Sequence, residues 1–270
     1  MRRHGCSGQQ IMTMKEKLTI VKVGGKIVEN PDSLQRLLDD FAHMDGLRVL
    51  VHGGGRSATA LAARLGIESR MVNGRRVTDK DMLEVVTMVY GGLVNKNIVA
   101  GLQAAGVKAI GLTGADMDVI RSVKRPVKEV DYGFVGDVQR VDAGVLCHLL
   151  GQGAVPVMAP LTHDGAGHML NTNADTIAGE TALALASHFD VTLVYCFEKK
   201  GVLMDENDDD SVIPVITPEL FHQYVQQGII GGGMIPKLEN ALAAVAGGVE
   251  KVIITAAEEL GRGGGTVIKK

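Results

Sequence analysis

From residue 18 almost to the C-terminus, short aliphatic and β-branched runs alternate with stretches of helical period, and this alternation leaves few folds open. Residues 18–23, 47–51, 107–112, 155–158, 191–196, 252–255 and 266–268 read as strands. Residues 31–44, 56–65, 79–105, 143–150, 173–187, 218–227 and 235–246 read as helices, with a break expected near Gly91-Gly92. Strands that alternate with helices in this way form a mainly parallel sheet with a helical layer on each face. Residues 120–140 depart from the rhythm: turn residues Pro126, Asp131, Gly133 and Gly136 interrupt β-rich pieces, which predicts hairpins projecting from the sheet. The chain reads as a polar opening segment, 1–17, and one α/β domain, 18–270, in two lobes that divide near residue 170.

Composition narrows the function classes. Aromatic residues are only 3% and Trp is absent, so aliphatic side chains and Met fill the core. A formal net charge of −3, without a basic domain, argues against a nucleic-acid binder. No continuous apolar run approaches the roughly 18 residues of a bilayer span, and residues 1–14 lack the apolar stretch of a secretory signal. Cys6, Cys147 and Cys196 are sparse and show no CxxC spacing, which predicts a reducing, cytoplasmic setting. The 35 glycines follow no fibrous period and gather in clusters at the ends of strands or before helices.

Those clusters carry the chemistry. Lys22-Val23-Gly24-Gly25 ends the first strand in a fixed cation and two glycines, either a tight turn or half of a phosphate loop. It is not GxxxxGK[ST]. His52-Gly53-Gly54-Gly55 joins the second strand to a helix, where backbone amides and a helix N-terminus can face an anion. Asn73-Gly74-Arg75-Arg76-Val77-Thr78 reads locally as a solvated basic turn, although Arg suits a carboxylate. In Asn171-Thr172-Asn173-Ala174-Asp175, Asn173 is a fair N-cap, and Asp175 is favourable in a first helical turn for electrostatic reasons alone. Gly231-Gly232-Gly233-Met234-Ile235-Pro236-Lys237 opens another helix, with Lys237 either solvated or turned to an anion.

In this order the five segments resemble the amino-acid kinase family, and within it the branch that phosphorylates acylated glutamate. The resemblance covers nearly all of the chain from Lys17 onward. It implies a three-layer αβα sandwich on an eight-stranded sheet. It also implies transfer of the γ-phosphoryl group of ATP, with Mg²⁺, to the side-chain carboxylate of N-acetylglutamate, a step of arginine biosynthesis. By position, Lys22 and Lys237 match the lysines that stabilise the migrating phosphoryl group, and Asp175 matches the aspartate that organises them. Gly54 and Gly55 would hold the acylamino acid through their amides, Arg76 its α-carboxylate, and Asn171 its other polar groups. Gly24 and Gly25 would surround the phosphates, and Ile230, Gly231 and Gly233 would border the nucleotide. The short polar N-terminus implies a homodimer without arginine feedback. No general-base histidine is needed, because the attacking carboxylate is already ionised at neutral pH.

One stretch departs from the family pattern Leu-(Thr/Ser)-Asp-Val-x-Gly-Val-Leu. Here Cys196 reads in place of the aspartate, with a turn longer by two residues before Gly201. Lys199 and Lys200 read as solvated side chains or as nucleotide contacts, and the acidic run 206–210 as a surface loop or a metal site. Three other functions stay open. One is the same chemistry on N-succinylglutamate. Another is a different kinase of the fold, which Arg76 and Asn171 oppose. The third is a non-catalytic binding protein, which has less need of two lysines and Asp175 at one point. A dinucleotide oxidoreductase would require GxGxxG, which the strand ends lack.

Overall fold

The computed structural model describes residues 15–72 and 74–270; residues 1–14 of the opening segment and Asn73 of the Asn73–Thr78 motif lie outside the described residues. β1 (Lys17–Val23) runs into α1 (Gly25–Glu29) and α2 (Pro31–Ala42). Pro31 opens α2, and Asn30 caps it by accepting from the Ser33 amide at 2.9 Å. β2 (Leu47–His52) leads through glycines into α3 (Gly55–Arg64) and the ribbon β3 (Met71–Val72) and β4 (Arg75–Arg76). A long helix follows, made of α4 (Lys80–Val86), π-helical turns over Thr87–Val94, and α5 (Asn95–Ala104). Next come β5 (Ala109–Leu112), β6 (Ile120–Lys124), β7 (Gly136–Val141), α6 (Ala143–Gly151), β8 (Val155–Met158), β9 (Leu161–His163), β10 (Met169–Asn171) and α7 (Ala174–Leu185). β11 (Asp190–Phe197), β12 (Val215–Ile216), α8 (Pro218–Gln226), α9 (Met234–Ala246), β13 (Lys251–Ala256) and β14 (Thr266–Ile268) complete the chain.

The central sheet has eight strands in the order β12-β14-β13-β11-β1-β2-β8-β5. Every neighbouring pair is parallel except β13 and β14. Alternation along each strand divides its side chains between two cores. Leu18, Ile20, Val49, Val51, Leu193 and Tyr195 face the layer that contains α6, α7 and α9. Val21, Val23, Leu50, Val194 and Cys196 face the layer that contains α2, α3 and the long helix. The sheet is continuous across the divide expected near residue 170, because β1 pairs with β11 from Lys17↔Asp190 to Val23↔Cys196.

Two local expectations are corrected. Residues 120–140 do form an antiparallel hairpin, β6 with β7, but it belongs to a separate sheet and does not project from the central one. β6 and β7 join β9 and β10 in a separate four-stranded sheet, whose β9–β10 hairpin the sequence reading did not resolve. Gly91-Gly92 does not break the long helix. The helix widens there, and the Asn95 amide donates to Tyr90 O, five residues back. Residues 80–104 also make one 25-residue helix with an 18-residue window of mean hydropathy 1.3, long and apolar enough to cross a bilayer by length and composition. Its Met82, Val85, Val86, Val89, Ile98 and Leu102 are buried in the core of this layer, whereas Met88 and Leu93 are exposed.

Candidate active site

The C-terminal ends of β1, β2 and β11 meet where crossovers leave the sheet in opposite directions, the usual place for a ligand in an open α/β sheet. Two cavities open there and share Gly25. The first, of 220 Å³, is lined by Gly53, Gly54, Gly55, Arg76, Tyr90 and Asn171, among others. The second, of 350 Å³, is lined by Gly24, Lys26, Phe197, Glu198, Lys199 and Lys237, among others.

Alternation along β1 directs Lys22 to the same face as Leu18 and Ile20, towards the start of α7. Lys22 is buried, and its Nζ lies 2.8 Å from Asp175 Oδ1. That oxygen is enclosed and makes no directional hydrogen bond, so the contact is an ion pair alone. Asn173 caps α7 by accepting from the Asp175 amide at 2.7 Å and the Thr176 amide at 3.2 Å, which fixes the turn that carries Asp175. Lys237, in the first turn of α9, comes from the far end of the chain. Both ammonium groups lie over one ring: Lys22 Nζ is 5.3 Å and Lys237 Nζ 4.2 Å from the centroid of Phe197. Two cations remote in sequence are thereby gathered in one small region. Burial, with the Asp175 carboxylate nearby, raises the Tyr195 phenol well above its ordinary range, so it stays a donor; its hydroxyl reaches Asp175 O at 3.4 Å.

Arg76 is buried behind the glycine loop. Its Nη2 donates to Gly55 O at 2.7 Å and Thr59 Oγ1 at 2.9 Å, and its Nη1 to Ser69 Oγ. Asn171 Nδ2 donates to Thr78 Oγ1 at 2.9 Å, and that hydroxyl donates to Arg76 O at 3.2 Å. The two polar residues of this wall are thus linked through Thr78. Burial raises the Tyr90 phenol, while the neighbouring Arg76 opposes the rise. Gly54 and Gly55 face Gly25, a Cβ on which would lie 3.7 Å from the Gly54 nitrogen and 3.8 Å from the Gly55 nitrogen. Among the described residues, neither amide donates to a protein acceptor. Ile230, Gly231 and Gly233 lie further out, with Ile230 and Gly231 lining a third cavity that adjoins the second at Lys199, Gly201 and Met234.

His52 is neutral. Its Nδ1 lies 2.7 Å from Gly53 O, and Asn95 Nδ2 lies 3.1 Å from its Nε2. Burial, helped by the Lys96 charge and opposed by the Gly53 hydrogen bond, lowers its pKa to about 4. In the unfolded chain the ring takes up a proton below about 6.5. Between these values the unfolded state binds more protons than the native one, so stability falls as pH drops. Urea titrations from pH 7 to pH 4 are expected to show that loss, approaching about 1.4 kcal/mol per pH unit from this group. The loss is expected to diminish in His52→Asn.

The departure read at Cys196 is corrected. Cys196 is fully buried on the face opposite Lys22, and burial pushes its thiol up to about 12. Glu198 is the carboxylate that lines the second cavity, and it pairs with Lys26 across the mouth. Counting back from Gly201-Val202-Leu203 without a gap puts Glu198 at the acidic position, a signal present in the sequence. Lys199 and Lys200 are exposed, in keeping with solvated side chains, and form surface ion pairs with Asp209 and Asp210, each at 2.6 Å. The acidic run is therefore a surface loop held by ion pairs. No group of three metal-ligating side chains occurs there or elsewhere among the described residues. Arg125 also lines the first cavity, its guanidinium paired with Asp137 at 2.5 Å; the sequence reading had not singled it out.

Residues 17–256 match the amino acid kinase family. The chain is 76% identical over 257 residues to an acetylglutamate kinase of Phocaeicola vulgatus, covering 95% of this chain and 100% of that protein. It is 72% identical over 257 residues, with 95% and 100% coverage, to an acetylglutamate kinase of Bacteroides thetaiotaomicron. Among solved structures it resembles smu.665 of Streptococcus mutans UA159, with a TM-score of 0.74 at 32% identity over 93% of this chain and 98% of that one. The chain belongs to the amino acid kinase family, and within it to the acetylglutamate kinases.

Proposed function

We propose that the protein transfers the γ-phosphoryl group of ATP to the side-chain carboxylate of N-acetyl-L-glutamate, giving the acyl phosphate used in arginine biosynthesis. The observation that carries this reading is that Lys22, paired with Asp175, and Lys237 both lie over the ring of Phe197, which lines the second cavity. On this reading the first cavity takes the acylamino acid and the second takes the nucleotide, so the two anions meet near Gly25. The nucleophile arrives ionised, so catalysis consists of alignment and charge neutralisation. Lys22 and Lys237 bear the charge that spreads over the equatorial oxygens, and Asp175 keeps Lys22 in place. The amides of Gly24, Gly25, Gly54 and Gly55 add donors fixed in advance of the reaction. Further neutralisation would come from Mg²⁺ when it is bound together with the nucleotide. The site suits that mode of binding, because Asp175 and Glu198 offer single carboxylates and not a protein cage.

Arg76 is read as the partner of the substrate's α-carboxylate. Arg76→Lys is expected to raise KM for the acylglutamate roughly 30-fold, equivalent to about 2 kcal/mol for lost charge-assisted hydrogen bonds. KM for ATP should stay within a few-fold. An equal rise in both constants would remove Arg76 from the substrate wall.

The deciding experiment is an ATP-dependent hydroxamate assay run in parallel with N-acetylglutamate, N-succinylglutamate, glutamate and aspartate. Turnover of N-acetylglutamate supports the reading, turnover of glutamate or aspartate alone marks a different kinase of the fold, and inactivity with all four leaves a binding protein. One observation favours a succinyl group as a second reading. Arg125 is a further guanidinium on the cavity wall, where the free carboxylate of a succinyl arm would find a partner. The protein is read as a cytoplasmic homodimer without arginine feedback, and a mass near six chains in size-exclusion chromatography would refute that assembly.

A further inference from the structure

His52 takes no part in the reaction just derived, yet it is wholly buried beside the loop on which substrate binding depends. Its hydrogen bonds leave one arrangement. Asn95 Nδ2 donates to Val157 O at 2.9 Å and reaches His52 Nε2 at 3.1 Å, and Asn95 Oδ1 accepts from Lys96 Nζ at 3.1 Å. The orientation of the Asn95 amide is thus determined from both ends. His52 Nε2 must be the acceptor, and the ring proton must lie on Nδ1, 2.7 Å from Gly53 O. Space for this device is reserved on β5, where a Cβ on Gly111 would overlap Asn95 Oδ1 at 1.8 Å. Asn95 itself sits where the π-helical turns pass into α5, the same turns that place Tyr90 against Gly54.

The carbonyl of Gly53 and the amide of Gly54 share one planar trans peptide and point in opposite directions. The Gly53 amide is itself held by Val23 O at 3.0 Å. An imidazole that holds the Gly53 carbonyl towards the interior therefore turns the Gly54 N–H towards the cavity lined by Gly53–Gly55. We propose that His52, fixed in its Nδ1–H tautomer by Asn95, is a positioning residue that aims the Gly54 amide at the acylamino acid. The identity of that ligand rests on the kinase reading; the arrangement of the loop does not.

The test combines spectroscopy on the unaltered protein with two variants. Long-range ¹H–¹⁵N spectra of the full chain should show His52 protonated at Nδ1 and not at Nε2. An Nε2–H tautomer overturns the proposal whether or not any variant folds. In kinetics, His52→Gln, whose amide reaches the Nε2 position and not the Nδ1 position, should lower kcat/KM for the acylglutamate about 100-fold, the scale of a small misplacement of a binding group. Its KM for ATP should remain within a few-fold. His52→Asn places an amide donor where Nδ1 stood and should recover most of the loss, although it too sacrifices the bond to Asn95. Equal impairment of the two variants, or a loss that falls on ATP, would show a merely structural histidine. Should the unaltered protein phosphorylate no acylglutamate, the kinase reading fails while the spectrum still decides the tautomer.

Discussion

Lys22→Ala is expected to lower kcat by about 10²–10³-fold, the usual effect of removing one preorganised donor from a charge-stabilising site. The size follows from surroundings that water cannot repair. Lys22 is buried on β1, its only ionic partner among the described residues is Asp175 at 2.8 Å, and its ammonium lies over the Phe197 ring. A solvated lysine would be replaced by water and ions at small cost; one at the end of a buried strand leaves its charge missing where the phosphoryl group passes. Lys237→Ala should fall in the same range, since its ammonium lies over the same ring. Because the two act on one group, the double variant should lose less than the product of the single losses. The measurement is single-turnover phosphorylation at saturating ATP and acylglutamate, with melting temperature followed in parallel, since Asp175 Oδ1 is enclosed and its charge would be left uncompensated. A kcat within a few-fold of the unaltered enzyme would take Lys22 out of the reacting centre.

Much of this arrangement is legible in the sequence because its signals are local. Strand alternation through Leu18, Ile20 and Lys22 already directs the lysine to the face of Leu18, and Asn173 announces the helix that carries Asp175. What was not legible depends on approach between distant segments. Nothing near Arg125 indicates that β6 will turn it towards the cavity of Arg76, since β6 belongs to a second sheet assembled from four separated strands. The pairing of Lys199 and Lys200 with Asp209 and Asp210 is likewise set by how the loop folds back, not by composition. Two successive glycines weaken a helix, so the sequence predicts a break near Gly91-Gly92, where the structure has widened turns over Thr87–Val94. Packing of Val89, Tyr90 and Val94 against the sheet keeps that segment helical and overrides the weak propensity. Glu198 is legible only from one end: counting along the strand puts Cys196 at the family's aspartate, whereas counting back from Gly201-Val202-Leu203 puts Glu198 there.

Gly54→Ala should be the most damaging change that removes no functional group. Gly54 adopts φ 156° and ψ 12°, a conformation that L-residues rarely take, and it caps α3 there. An added Cβ would stand 3.0 Å from Tyr90 Cδ1 and 3.4 Å from Val94 Cγ2. Neither neighbour can withdraw easily: Tyr90 and Val94 are both buried in the core behind the π-helical turns. Backbone strain of this kind costs about 1–3 kcal/mol, so the loop is expected to shift before the ring does. A shift moves the Gly54 and Gly55 amides and loosens the contact of Arg76 with Gly55 O, so three groups of the substrate wall are misplaced together. The expected result is a loss of about 10²-fold or more in kcat/KM for the acylglutamate, with the KM for ATP much less affected. Tyr90→Ala in the same chain removes the ring that the new methyl group meets and should recover part of the loss if crowding is its cause. If the double variant recovers nothing beyond the loss caused by Tyr90→Ala alone, crowding by the ring is not the cause and the strain at φ 156° is, and if Gly54→Ala alone binds and turns over substrate normally, the glycine loop does not hold the acylamino acid.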